Sequence, residues 1–465
     1  MQDPTVTLSD GPKTSFSPSF GLREGALSPV ETLAQSVSTI APSTSPTLTV
    51  PLVFALAGQG TAIAYLIAML LMVLVGFCIA EFAKESSSPG SLYVYTRKSM
   101  PPVFSTITAL ALFFAYITTA SAVIGGFSAY ADICLAPVHV PHIPSIVFVL
   151  FAAVGAGWVA YRDVKVSARL MLYVEGISVL LIAIVIAVLL YKHGFHFDRM
   201  QVDFHAMSVR GIGLGVMLAI FSFVGFESAT TLGAEAHEPL RTIPRAVVQS
   251  ALLAGVFFIL CCYGEVLGFH QSATSLDAST APLHFLSELA GISMLGIVID
   301  LGVLVSMFAA TLACVIAASR VLLLMAHHGL AHKSLTQTST THETPAAGGI
   351  LSAFLAFLPA AVLTVCGISG ADIYGWMGTL AVYGFLTAYG LVAIALIVHL
   401  KKHARLIPAK LLVASAAALG MFLAMISNVY PNTPPAPLKY FPYIYGGYLL
   451  AALIWFRLSK SLRTA

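Results

Sequence analysis

The sequence predicts an all-α integral membrane protein of twelve transmembrane helices, and three observations carry that prediction. Of 465 residues, 58% are hydrophobic and only 9% are charged. A soluble chain carries about 25% charged residues and needs them to cover its water-facing surface. The mean hydropathy of +0.91 agrees. Apolar runs recur along the chain at lengths that cross a bilayer: roughly 20 residues, at about 1.5 Å each, span a hydrocarbon core of about 30 Å. The basic residues, finally, fall in alternate intervening segments, as the positive-inside rule requires. Soluble enzymes and nucleic-acid binders are excluded on this composition, and no catalytic role is expected.

Residues 1–28 are polar, rich in Ser, Thr, Gly and Pro, and lack the apolar core of a signal peptide, so they read as a cytoplasmic tail. Spans follow at about 32–57, 61–83, 103–130, 143–161, 170–191, 211–234, 245–268, 292–325, 346–366, 371–399, 409–429 and 442–459. The first is the least regular and the eighth is longer than one crossing needs; residues 282–291 read as a short helix outside the membrane. Twelve crossings place both termini on one side. With that side cytoplasmic, the inner segments hold 19 of the 23 Lys and Arg residues and the outer ones only Lys192, Arg199, Arg210 and Lys439. A plasma-membrane protein with cytoplasmic termini is expected. The six cysteines, Cys78, Cys134, Cys261, Cys262, Cys314 and Cys366, lack metal or redox spacing and read as small packing residues.

Two spans are irregular. In the first, Pro42 and Pro46 remove backbone donors and crowd the preceding turn, so residues 41–46 are not expected to be continuous helix. Backbone groups freed there cannot face lipid and must line a cavity or bind something, unless Ser43, Thr44 and Ser45 heal a simple kink. In the sixth, Gly225 lies between large aromatics in Ser222-Phe223-Val224-Gly225-Phe226, and Glu227 follows near mid-membrane, where an ionisable group is costly. Each break lies about 12 residues into its span, and the two are about 180 residues apart. Interrupted helices at matching positions in two halves point to an inverted-repeat transporter with a midplane site. The repeats would be 29–200 and 201–402, with 403–465 supplying two further helices.

Other polar residues in the spans have local explanations. Glu175 follows Arg169 by six residues and is expected to pair with it near the cytoplasmic interface; Glu81 is a helix-terminal charge beside Lys84; Glu265 lies near the outer interface. Asp300, near the outer end of span eight, is a candidate gate. Tyr116, Tyr383 and Tyr389 are packing residues or substrate ligands. His193, His196, His327 and His328 sit at span ends, where solvation explains them, and Leu71 is expected to face lipid. Phosphate loops, zinc signatures and an ATPase module are absent from the sequence, so no cofactor or metal is expected, and a gradient, exchange or a partner would drive transport.

Four stretches of the sequence resemble the amino acid-polyamine-organocation superfamily of permeases: IAPSTSPTLTVP at 40–51, AEFAKESSSPGSLYVYTRKSM at 80–100, FSFVGFESATTLGAEAHEPLRTIPRAV at 221–247 and ASRVLLLMAHHGL at 318–330. The third is the most specific. The resemblance covers about 27–463 and implies the five-plus-five inverted repeat of the leucine-transporter fold, with alternating access for a small amine-containing solute. It further implies that amides near Ser43, Thr44, Ser45 and Pro46 bind an α-carboxylate while carbonyls near Ser222, Phe223, Val224 and Gly225 receive the amine, with Tyr116 nearby. Helix dipoles favour the same assignment. Two departures stand out. Thr44-Ser45-Pro46 replaces a glycine-rich turn, and Ser178 occupies the approximate place of a lysine that some relatives use for coupling. Glu227 and Glu175 are then the candidates to carry a coupled proton.

The sequence reading is therefore a secondary active amino acid carrier, proton-coupled, in contact with membrane lipids and with no nucleic-acid or obligate protein partner expected. A polyamine or other organic amine carrier or exchanger, a transporter-like sensor and a channel are the alternatives.

Overall fold

Helices make up most of the chain, and their ends fall where the sequence supplies caps and breakers. The computed structural model describes residues 20–136, 143–162, 164–194, 198–201, 203, 207–270, 272–339, 342–430 and 434–464, so His196 and most of the expected N-terminal tail lie outside the described residues. Ser28 opens α1 (Pro29–Ile40) with a capping box: its amide donates to Glu31 Oε2 at 2.7 Å and its Oγ accepts from the Glu31 amide. Reciprocal bonds of this kind satisfy amides that the first turn leaves free.

The following helices are α2 (Val50–Ala57), α3 (Thr61–Ala83), α4 (Ser91–Ser99), α5 (Pro102–Leu135), α6 (Ser145–Arg162) and α7 (Val164–Lys192). Then come α8 (Val209–Phe221), capped by Ser208, α9 (Pro239–Phe269), the short α10 (Pro282–Leu289) and α11 (Ser293–His327). The chain ends with α12 (Ala346–Val365), α13 (Gly370–Lys402), capped by Ser369, α14 (Pro408–Ile426) and α15 (Phe441–Thr464). Among the described residues nine helical stretches are long and apolar enough to cross a membrane; the first, Pro29–Ala83, includes an interruption, and α8 is a shorter apolar helix. This is an all-α, multi-span integral membrane protein. Its outer faces carry exposed apolar side chains such as Leu70, Phe151, Leu253 and Leu412, which suit a hydrocarbon solvent.

The centre is built by α5, against which α11 and α13 pack, with α3 against α9 beside them. Small residues allow the close approach: a Cβ on Gly384 of α13 would fall 2.5 Å from the Ala111 carbonyl of α5. The expected eighth segment is one continuous helix, α11, whose 35 residues reach about 52 Å.

Several expectations change. Arg320, counted above with the inner surface charges, is 1% exposed inside α11. Leu71 packs against Gly420 of α14, where a Cβ would meet its Cδ2 at 2.3 Å, so it does not simply face lipid. The end of the polar tail is docked: Leu27 is 2% exposed and exchanges backbone hydrogen bonds with Glu235 and His237. Cys366 is exposed, unlike Cys78, Cys261, Cys262 and Cys314.

Candidate functional site

Helix α1 cannot continue past Ile40. Ala41 takes the left-handed conformation (φ 48°, ψ 66°) and Pro42 has no amide hydrogen. In an unbroken helix, residues 42, 43 and 44 would donate to the carbonyls of Ser38, Thr39 and Ile40. Here Pro42 donates nothing, the Ser43 amide donates to Glu175 Oε1 at 2.7 Å, and the Thr44 amide donates to the Ala41 carbonyl at 2.9 Å. The last carbonyls of α1 thus lose their helical donors. The chain re-enters helix through a π-helical turn, Ser45–Thr49, that runs directly into α2. Pro46 stands at the start of that turn, where its missing donor is harmless, and the break proper is confined to 41–44.

The second interruption lies opposite the first. After α8 ends at Phe221, the amides of Ser222, Phe223 and Val224 reach only three residues back, to Ala219, Ile220 and Phe221. Gly225 then takes φ +90°, and a Cβ there would lie 2.1 Å from Thr39 Cγ2 on α1, so both conformation and space require glycine. A 3-10 turn, Ser228–Leu232, resumes the path. Side chains join the two breaks directly: Ser36 Oγ donates to the Phe226 carbonyl at 2.7 Å, Thr39 Oγ1 and Ser228 Oγ share a hydrogen bond at 2.9 Å, and Ser228 Oγ donates to the Gln35 carbonyl at 3.2 Å. Tyr65 of α3 fixes the same region through Ser222 Oγ at 2.9 Å.

Carboxylates surround this junction. Glu227, 0% exposed, accepts from Tyr116 of α5 at 2.6 Å and from Tyr389 of α13 at 2.5 Å. Glu175, 3% exposed, reaches in from α7 to Ser43. The sequence placed Glu175 near the cytoplasmic interface beside Arg169; the structure instead turns its carboxylate inward to the break, and the Arg169 side chain lies outside the described residues. Ser178, one turn later, donates to the Val174 carbonyl and seats over Gly302 of α11, where a Cβ would come within 2.4 Å of its Oγ. Glu265 on α9 is enclosed, with neither carboxylate oxygen hydrogen-bonded, although its helix ends only four residues later. The side-chain oxygens of Thr44, Thr119 and Ser121 are also buried without a hydrogen-bond partner, while the Ser43 and Ser306 hydroxyls lie beside the Glu175 carboxylate. A separate cavity of about 790 Å³, lined in part by Thr47, Leu48, Tyr130, Asp277 and Ser369, leads from one face of the protein toward α2.

Most of the residues singled out from the sequence therefore come together. Ser43, Thr44, Ser45 and Pro46 lie buried at the first break, Ser222, Phe223, Val224 and Gly225 at the second, and Tyr116 joins them through Glu227. Tyr389 serves the same carboxylate, whereas Tyr383 stacks on Tyr445 with its hydroxyl unpartnered. Asp300 stands apart, bound at 2.6 Å to His284 of α10. His328 is not merely solvated, because its Nδ1 lies 2.8 Å from the Tyr93 hydroxyl.

Sequence reasoning missed the buried Arg320–Glu235 pair, whose two hydrogen bonds measure 2.6 and 2.8 Å. An arginine inside an apolar run was the available signal. It also missed Gln35, Ser36, Thr39 and Ser228, whose polar side chains occur at roughly helical spacing along α1 and just beyond Glu227.

A family model described as amino acid permease matches residues 27–454. The branched-chain amino acid permease BcaP of Bacillus subtilis (strain 168) is 25% identical over 370 residues, 74% of this chain and 75% of that protein. The methylthioribose transporter of the same organism is 23% identical over 364 residues, 75% of each chain. Among solved structures, a point mutant of the Eremococcus coleocola manganese transporter superposes with a TM-score of 0.54 at 13% identity, covering 93% of this chain and 94% of that one. That likeness is one of fold.

Proposed function

We propose, from the premise that this chain belongs to the amino acid permease family of membrane transporters, that it carries a small solute bearing a protonated amine, by alternating access to a site between its two interrupted helices. The protein is a secondary active transporter of the amino acid-polyamine-organocation superfamily. Membership alone does not choose the substrate, since relatives are named for branched-chain amino acids and for methylthioribose. One observation carries the proposal: the breaks at 41–44 and 222–227 are hydrogen-bonded to each other, through Thr39 with Ser228 and Ser36 with Phe226. Two interrupted helices meeting at one level supply helix C-termini whose carbonyls suit a cation.

The finer architecture is proposed on the same footing. Twelve spans, with 29–200 and 201–402 as inverted repeats and 403–465 appended, place both termini in the cytoplasm of a plasma-membrane protein. The charge division supports this orientation, with Arg320 removed from the inner surface count because it is buried. Glu227 is proposed to exchange the coupled proton. Its carboxylate is held by two tyrosine hydroxyls at the second break, so its charge state bears directly on the site. The amino acid reading required free amides after the first break. Glu175 takes the Ser43 amide and the Ala41 carbonyl takes the Thr44 amide, so the proposal rests on the amine end of the solute.

Counterflow in liposomes tests the proposal. Protein reconstituted with trapped unlabelled amino acids or amines should accelerate entry of the matching labelled compound. No acceleration for any member of either class would contradict transport by this site.

A further inference from the structure

We propose that Glu175 is a resident carboxylate filling the place that a substrate carboxylate would take, so that the solute carried is an organic cation with an amine and no neighbouring carboxylate. This deepens, and rests on, the transport reading above. The Ser43 amide is the first one after the break in α1 and points at Glu175 Oε1, 2.7 Å away. A solute carboxylate seeking that amide would find it already occupied by the Glu175 carboxyl group. Glu175 is held firmly in place: it is 3% exposed, and Ser178, one turn further along α7, seats on Gly302 of α11.

The second interruption repeats the pattern. Glu227 stands directly before the 3-10 turn Ser228–Leu232, with one tyrosine hydroxyl on each oxygen. Both points where helix resumes are therefore accompanied by a carboxylate of the protein itself. What remains open is acceptor chemistry. The carbonyls of Ser38, Thr39 and Ile40 have lost their helical donors to Pro42, Glu175 and Ala41. The side-chain oxygens of Thr44 and Thr119 are buried with no hydrogen-bond partner. An ammonium group, three donors and no acceptor, matches these carbonyls and hydroxyl oxygens; the hydroxyls can also donate, so it is the occupied Ser43 amide that turns a solute carboxylate away.

Charge balance points the same way. Among the described residues Glu175, Glu227 and Glu265 are buried without a basic partner, and the buried arginine, Arg320, is committed to Glu235. Acids buried in this way take up either a proton or a cation; a cationic solute can supply the second, whereas a zwitterion leaves the net charge unchanged.

The experiment is calorimetric titration of the purified full-length protein with matched pairs: ornithine and putrescine, leucine and 3-methylbutylamine, tyrosine and tyramine. In the pairs that bind, the amine should bind about tenfold or more tightly than its parent amino acid, the worth of one charge-assisted hydrogen bond. Glu175→Ala frees the Ser43 amide and should bring the parent amino acid to at least equal affinity. Glu175→Gln keeps an acceptor for Ser43 and removes the charge, so it should weaken amine binding about tenfold without a gain for the amino acid. Unchanged amine affinity in the Gln variant would overturn the proposal. So would a parent amino acid that binds the unmodified protein as tightly as its amine, a result that requires no variant to fold; if that amino acid also shows counterflow, the transport reading stands. If no member of any pair binds or shows counterflow, both fall.

Discussion

Replacing Arg320 with methionine should destabilise the protein by about 3–5 kcal/mol, because it strands a buried carboxylate. The guanidinium donates to Glu235 through Nε at 2.6 Å and Nη2 at 2.8 Å, and to the Ile316 carbonyl through Nη1 at 3.2 Å. The two side chains are 1% and 5% exposed, so water cannot replace the missing partner. Glu235→Leu should cost a similar amount by leaving the guanidinium with Ile316 alone. The double variant, Arg320→Met with Glu235→Leu, removes both charges and should lie within about 1–2 kcal/mol of the starting protein, since a buried ion pair and an apolar pair of similar volume are often close in free energy. Unfolding in mixed micelles, followed by intrinsic fluorescence across the four proteins, completes a double-mutant cycle with an expected coupling of several kcal/mol. Single variants that lose less than about 1 kcal/mol, or a double variant that loses the sum, would refute the reasoning. The pair also anchors the docked tail, because the Glu235 carbonyl accepts the Leu27 amide at 2.8 Å. The single variants should therefore increase proteolysis near residue 27.

Other expected outcomes follow from single features. Gly225→Ala places a Cβ 2.1 Å from Thr39 Cγ2 in a left-handed conformation and should abolish counterflow, whereas Gly213→Ala in α8, with open space at its Cβ, should be tolerated. Glu227→Gln keeps acceptors for Tyr116 and Tyr389 but cannot exchange a proton; it should lose pH-driven concentrative uptake and retain downhill counterflow, and uphill uptake in this variant would remove Glu227 from the coupling role. Single cysteines at Ser88 and Thr338 should react with an impermeant maleimide only in opened cells, and one at Ser275 in intact cells. Reaction at Ser88 in sealed cells would reverse the proposed orientation.

The all-α, multi-span membrane class and both interruptions were legible because the features responsible act locally. Pro42 removes a donor wherever it sits, and the Gly225 break is marked by a glycine among aromatics that resist a left-handed turn. The direction in which Glu175 points was not legible. Segment α7 is apolar nearly all round, so its periodicity gives no preferred face, and the nearest charge in sequence, Arg169, was the only partner visible. The structure turns Glu175 to Ser43, 132 residues away. Arg320 was misplaced for a related reason: with its partner, Glu235, 85 residues away, an arginine near a helix end reads as a surface charge. The Thr39–Ser228 bond and the tyrosine pair on Glu227 likewise join distant residues whose individual types are unremarkable in a membrane helix.

Substrate protection of a single cysteine at Thr44, in a chain otherwise free of cysteine, tests the central claim most directly. Thr44 is 2% exposed at the first break with its hydroxyl unpartnered. A compound that supports counterflow should slow reaction of this cysteine with a small methanethiosulfonate reagent in proportion to its occupancy, while a cysteine at the exposed loop position Ser275 reacts at an unchanged rate. Undiminished labelling at Thr44 in the presence of a saturating, actively transported compound would contradict a substrate site between the two interrupted helices.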